Sequence, residues 1–260
     1  MLSYTTDVWR YRYFWGSLVR MDIRSRYRGT WLGVGWSLLQ PLAMAAVIGL
    51  VFHKLFHQPL ESFIPRLITG LIFWTYLTGC TVQGCRSISG SENYMRQVPA
   101  PLAIYPLRTT LSAAFHLLIA TFVILLGNAL IVGWNVPASV PAFVLATPLL
   151  LLFGWSSSVL TGFAQAYFPD MNYLIEIGTR MLFYCTPIIY EPERLRAAGA
   201  GWILDINPVA SLLEVYRMPM LGVGFPDISN YMVATGFVLV LTAMALLTLK
   251  NLERKVIFQL

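Results

Sequence analysis

From residue 109 to residue 169 the chain runs for 61 positions without an Asp, Glu, Lys or Arg. A soluble domain carries about 25% charged residues. A soluble bundle containing such a run would lack the polar surface to dissolve. Three shorter charge-free runs occupy 29–53, 67–85 and 228–249. Each of these fits one helix of roughly 20 mostly apolar residues, the length that crosses a hydrocarbon layer. The long run is interrupted by Gly133-Trp134-Asn135-Val136-Pro137, so it reads as a helical hairpin with two crossings. A sixth crossing is expected near 174–190, where Glu176 and Arg180 interrupt an apolar stretch. The fold class is therefore an all-α integral membrane protein with an N-terminal amphipathic interface helix and six transmembrane helices. One transmembrane domain covers 1–260, with spans at about 31–52, 67–83, 107–132, 141–167, 174–190 and 231–249.

The remaining charge sets the orientation, because Lys and Arg stay on the cytoplasmic side. With the N-terminus inside, the inner segments hold 13 basic residues and the outer segments 5. This favours an N-in, C-in arrangement and an even number of spans. The net charge of +6 sits at the ends of apolar runs, which argues for a membrane surface and against nucleic acid. Cys80, Cys85 and Cys185 fall in or beside spans and form neither a disulfide framework nor a zinc pattern. The first 28 residues carry six arginines and no clean apolar core, so no signal peptide is expected.

Residues 10–28 read as an amphipathic helix. At about 100° per residue, Tyr11, Phe14, Trp15, Leu18, Val19 and Met21 share one arc, opposite Arg10, Arg20, Arg24 and Arg28. Asp22 and Arg26 break the apolar arc. Such a helix lies in the headgroup plane, where its arginines either anchor topology or meet anionic phosphates. The inner segment 86–108 contains Pro99, Pro101 and Pro106 and reads as a short helix or turn at the membrane surface. A tighter inner turn is Tyr167-Phe168-Pro169-Asp170-Met171-Asn172. The outer segment 191–230 is too apolar for a free loop, with Leu204, Ile206, Val209, Leu212, Leu213 and Val215. Short re-entrant or interfacial helices are expected there, since irregular backbone at membrane depth must be shielded by protein.

Nucleotide-binding, zinc-protease and nucleophile-elbow motifs are missing from the sequence. The acidic residues are scattered, which argues against a membrane-embedded transferase. His53 and His57 have the spacing of a metal pair but no third ligand, so no metal site is expected. His116, within the third span, is either a hydrogen-bonded packing residue or a functional polar group. Trp36, Phe73, Trp74, Tyr76, Phe183, Tyr184 and Tyr190 are aromatic residues in spans 1, 2 and 5. They read either as an interfacial belt or as a wall for sugars, whose C–H faces pack on rings.

Several segments, taken in order, resemble the membrane subunit of type-2 ABC exporters for cell-surface polysaccharides (O-antigen, capsule and teichoic acid). They begin with Arg24-Ser25-Arg26-Tyr27-Arg28-Gly29-Thr30-Trp31-Leu32-Gly33, leading into Trp36-Ser37-Leu38-Leu39-Gln40-Pro41-Leu42. Gly70-Leu71-Ile72-Phe73-Trp74, Pro99-Ala100-Pro101-Leu102 and Tyr167-Phe168-Pro169-Asp170 follow. The series ends with Phe183-Tyr184-Cys185-Thr186-Pro187-Ile188-Ile189-Tyr190 and Asn207-Pro208-Val209-Ala210. Pro169 stands where the family usually has arginine, which removes one charge from an expected partner contact.

The resemblance implies a permease of the bacterial cytoplasmic (inner) membrane that exports a lipid-linked glycan. It implies a homodimer enclosing the channel, with two copies of a separate ABC ATPase subunit carrying ATP and Mg; this chain itself would hold no cofactor and have no enzymatic activity. Arg96, Pro99, Pro101, Pro169 and Asp170 would then contact the ATPase. Arg24, Arg26 and Arg28 would meet the substrate's phosphates, the aromatic residues above would line the channel, and 191–220 would form an outer gate. An exporter of drugs or small lipids is the alternative within the same class.

Overall fold

Proline and glycine set the boundaries between the helices of this chain. The computed structural model describes residues 2–56, 59–131 and 136–256. In order, the helices are α1 (Leu2–Arg10), α2 (Arg12–Tyr27), α3 (Trp36–Phe56), α4 (Leu60–Thr81), α5 (Arg86–Ser89), α6 (Glu92–Gln97) and α7 (Ile104–Ile131). They continue with α8 (Val136–Tyr167), α9 (Met171–Cys185), α10 (Pro192–Ala197), α11 (Trp202–Ile206), α12 (Pro208–Met220) and α13 (Ile228–Val256). Among the described residues there is no strand.

Five of these helices, α3, α4, α7, α8 and α13, are long and apolar enough to cross a membrane. The expected span 174–190 is not one helix. α9 stops at Cys185, because Pro187 drives Thr186 into the extended conformation (φ −101°, ψ 134°). Its 15 residues reach roughly 22 Å, short of the ~30 Å hydrocarbon layer. Other boundaries also move. α3 starts only after an elbow in which Gly29 (φ 78°) and Gly33 (φ 51°) take the left-handed conformation that other residues resist. α4 begins at Leu60, so part of the expected outer loop is helix. α13 runs on to Val256 and absorbs most of the expected basic tail. The side chains of His53 and His57, and most of the bend expected at 133–137, lie outside the described residues.

α8 is the axis of the fold, packed against α13, α7, α4 and α12. Glycines allow this closeness. A Cβ on Gly154 would lie 2.2 Å from Tyr76 Oη and 2.8 Å from Cys80 Sγ, so this glycine of α8 makes room for two side chains of α4. One apolar core joins Phe73, Leu77, Leu150, Phe153, Leu212 and Tyr216. A second joins Leu18, Leu102, Tyr105, Val159, Phe163 and Leu249.

The two ends of the bundle differ in their polar contacts. At one end α1 and α13 meet, where Tyr4 Oη donates to Glu253 Oε1 at 2.9 Å. It is the inner end of the expected N-in, C-in arrangement. At the other, α12 is capped by Asn207, whose Oδ1 accepts from Val209 N at 3.0 Å. The Asn207 Nδ2 donates to Cys185 O at 3.2 Å and Thr186 Oγ1 at 3.0 Å. Arg217 donates to Pro187 O at 2.8 Å. The non-helical stretch after α9 is therefore held in place by α12.

Candidate substrate groove

Helices α3, α4, α7 and α9 each turn one stripe of residues toward a common groove. On α9 the stripe is Glu176, Thr179, Arg180, Phe183 and Tyr184. On α4 it is Leu71, Trp74, Thr75, Thr78 and Val82. α3 adds Gln40, Pro41 and Met44, and α7 adds Thr109, Ser112 and His116. Offsets of three, four and seven residues put each set on one helical face. The groove consists of three adjoining clefts of about 590, 390 and 300 Å³. Arg26 and Gln83 border both the inner and the central cleft. Gln40, Trp74, Thr75 and Arg180 border both the central and the outer one. From Gln83 to Leu71 the groove climbs roughly 18 Å along α4, more than half the hydrocarbon thickness.

The walls are amphipathic. Trp74 and Phe183 meet edge to face, with centroids 5.3 Å apart, and Phe183 meets Tyr184 at 5.4 Å. Against these rings stand polar groups. Arg180 Nη2 donates to Glu176 Oε1 at 2.6 Å across one helical turn, and both side chains reach the surface. Thr75, Thr78 and Thr179 donate to the carbonyls of Leu71, Trp74 and Ile175 one turn earlier on their own helices. Their donors are thereby used, and their oxygens remain acceptors.

The expected aromatic wall divides in two. Trp74, Phe183 and Tyr184 face the groove, and Tyr190 folds back to donate to Tyr184 O at 2.9 Å. Trp36 is exposed at the start of α3, one turn before Gln40, but borders none of the three clefts. Phe73 points the other way, and Tyr76 reaches only a narrow cleft of about 30 Å³ between α3, α4 and α7. Phe73 is fully buried against Tyr216, and Tyr76 donates to Leu150 O at 2.7 Å inside the bundle. The reason is angular: Phe73 and Tyr76 lie about 100° and 200° round the helix from Trp74.

The three arginines separate for the same reason. Arg24 and Arg28 line a cleft of about 860 Å³ beside Arg20 and Val34. Arg26, about 200° round α2 from each, faces the groove. His116 Nδ1 lies 2.9 Å from Tyr27 Oη, which ties α2 to α7 at the groove's inner mouth. Near the inner end, Arg96 pairs with Glu92 at 2.6 Å on the exposed α6. Pro99, Pro169 and Asp170 are exposed and Pro101 is half-buried.

A family model described as ABC-2 type transporter matches residues 13–221. The chain belongs to the ABC-2 transporter membrane family. An O-antigen export system permease protein RfbA of Klebsiella pneumoniae is 23% identical over 234 residues, covering 88% of each chain. A second protein of that name and organism is 23% identical over 209 residues, covering 77% of each. An O-antigen export system permease protein RfbA of Myxococcus xanthus is 24% identical over 226 residues, covering 84% of each.

In this ABC-2 permease the two inner turns are braced by residues that the sequence did not single out. Glu253 accepts from Tyr4 Oη and, at 2.8 Å, from the Leu102 amide, so α13 and α1 together grip the 99–103 loop. Burial and the neighbouring Glu253 raise the Tyr4 pKa and keep its hydroxyl a donor. Tyr11 donates to Pro99 O at 3.1 Å. Gln165 clamps the second turn, donating to Pro169 O at 2.6 Å and accepting from Asn172 N at 2.7 Å. Within the groove, Gln40, Thr75, Thr78 and Thr179 were missed as well. Their signal was available: polar residues recurring at three- and four-residue steps along apolar helices.

Proposed function

We propose that this ABC-2 permease exports a lipid-linked polysaccharide across the bacterial cytoplasmic membrane, two copies enclosing the path and two ABC ATPase subunits driving it. The amphipathic groove carries the reading. A sugar presents C–H faces that suit Trp74, Phe183 and Tyr184, and hydroxyls that suit Gln40, Thr75, Thr78 and the Glu176–Arg180 pair. An acyl chain would leave that charged pair unsolvated, which is costly at membrane depth. A drug-like cargo would gain little from the polar row. Three relatives named as O-antigen export permeases support the same cargo class.

Six passes with both termini inside is the matching topology. The contact of α1 with α13 supports an even number of passes, in which α9 with Thr186–Tyr190 would be the sixth. Exposed α6, Pro99, Pro101, Pro169 and Asp170 form the surface offered to the ATPase. Their braced turns transmit displacement instead of absorbing it. Arg24, Arg26 and Arg28 meet phosphate at the inner leaflet, Arg26 from inside the groove and the other two from the bilayer side.

The test is glycan export into vesicles holding this chain and its ATPase partner. Replacing Trp74, Phe183 and Tyr184 together with Leu is expected to reduce export about tenfold, with assembly and ATP hydrolysis retained. Unchanged glycan export, or drug efflux in its place, would overturn the reading. So would ATP hydrolysis by the purified chain alone.

A further inference from the structure

The central cleft of the groove turns acceptors toward its contents. Thr75 is exposed there and Thr78 half-buried, and each hydroxyl hydrogen is held by a carbonyl one turn earlier, at 2.8 and 3.0 Å. What the two threonines leave for a cargo is oxygen lone pairs. Glu176 adds a carboxylate, which accepts and does not donate. The amides of Gln40 and Gln83 on the same walls donate and accept alike.

The charges follow the same pattern. Beyond Arg26 at the inner rim, the charged side chains bordering the central and outer clefts are Glu176 and Arg180. They lie 2.6 Å apart and cancel. A sugar hydroxyl both donates and accepts, so it satisfies a threonine oxygen, a glutamine amide or Glu176 as they stand. A uronate or phosphate carried along a glycan offers acceptors only. It would set oxygen against the threonines and charge against Glu176, and it would gain Arg180 only by breaking the pair. At membrane depth an uncompensated charge costs far more than in water.

We infer that the central and outer groove is a charge filter, which passes an uncharged, hydroxyl-rich glycan and holds back a polyanionic one. Glu176 is the specificity-determining residue: it repels anionic cargo and keeps Arg180 from attracting it. Discrimination of this kind needs a repulsive element as well as a matching surface. The inference rests on the exporter reading and narrows its cargo.

Titration of the full chain in detergent micelles with maltohexaose and with hexagalacturonate, read by ligand-observed NMR, tests it. The parent is expected to bind the neutral sugar and to bind the uronate more weakly. Glu176→Gln frees Arg180 and should strengthen uronate binding about three- to fivefold, the scale of an exposed ion pair. Arg180→Gln leaves the carboxylate alone and should weaken uronate binding by a similar factor. Neutral-sugar binding should change less than about twofold in either variant. These opposite signs are the key readout, because a pair that only held α9 in shape would move both ligands the same way in both variants. Salt at about 1 M, where the screening length is about 3 Å, should erase the gain in Glu176→Gln and spare the neutral sugar. Thr75→Val/Thr78→Val removes two acceptors at nearly constant shape and should weaken neutral-sugar binding about fivefold or more. Equal parent affinity for the two sugars, binding of neither, or one sign from both charge variants would overturn the filter. Export in vesicles holding the chain and its ATPase partner separates the two readings. A uronate-rich lipid-linked glycan exported as fast as a neutral one removes the filter and leaves the exporter. Export of neither, with the hexasaccharide preference intact, removes the exporter reading and leaves the filter.

Discussion

α12 and α3 invert the roles that their lengths suggest. α12 has 13 residues, too few to cross a bilayer, yet ten of them are buried, including Glu214 and Arg217. α3 has 21 residues and is apolar enough to cross, yet only 17% of its most apolar stretch is buried inside the chain. The short helix packs on α4, α7, α8 and α13, whereas the long one packs mainly on α4. Stability is therefore concentrated at the outer end around α12. The face of α3 is left for the groove and for lipid. In a membrane this division is physical: lipid covers an apolar helix without help, but a short helix at depth needs protein around its ends.

The strongest way to break the contrast is at Arg217. Its Nη1 donates to Glu214 Oε1 at 3.0 Å and to Pro187 O, while its Nε, its Nη2 and Glu214 Oε2 find no partner. Gly70 makes room for it, since a Cβ there would sit 2.7 Å from Arg217 Nη2. Arg217→Ala leaves Glu214 buried and alone, at an expected cost of about 3–5 kcal/mol. Thermal unfolding in detergent reads this as a large drop in Tm. The double change Glu214→Leu/Arg217→Met should recover most of it, because a buried pair replaced by apolar groups of similar volume is often neutral. A single variant that unfolds like the parent would mean that α12 does not anchor the outer end.

Gly154 probes the same core from α8. Gly154→Ala drives a methyl into Tyr76 Oη and Cys80 Sγ, and an overpacked core costs about 1–3 kcal/mol. Adding Tyr76→Phe removes the closest clashing atom and should return part of that loss. No return would place the strain elsewhere in the seam. A smaller effect is expected from Tyr216→Phe. It removes the 2.9 Å contact with Thr121 Oγ1 and leaves a buried hydroxyl unpaired, for about 1 kcal/mol. An unchanged Tm would show that Thr121 finds another partner.

The sequence announced α12 better than it announced α9. The apolar Leu212, Leu213 and Val215 in a nominal outer loop required shielding, and α10, α11 and α12 are the short helices expected in that segment. For α9 the apolar run continued past Cys185, and the stop signal at Pro187 was outweighed by hydropathy. Rotational facing was the least legible property. An all-apolar span gives no polar face to set its angle, so Phe73, Trp74 and Tyr76 looked equivalent although only Trp74 faces the groove. The Glu214–Arg217 pair was equally hidden, because charges in an outer segment look solvated until the fold closes over them. The links from Tyr4 and Tyr11 to residues near 100 and 253 join distant positions, and spacing carries no trace of them.

The least perturbing change separates stability from transport on α3 itself. Val47 is 65% exposed and borders none of the clefts. Val47→Ala should shift stability by no more than about 0.5 kcal/mol and leave export unchanged. Gln40 lies on the face that borders the central and outer clefts, and it is exposed as well. Gln40→Leu should be equally silent in thermal unfolding, since among the described residues the amide has no hydrogen bond to lose. In glycan export it should slow the rate severalfold, because a sugar hydroxyl entering the groove then faces a methyl group where it needs a partner. If both variants destabilise alike, α3 is packed inside the protein and the contrast with α12 collapses. If both are silent in export, the path runs along another face.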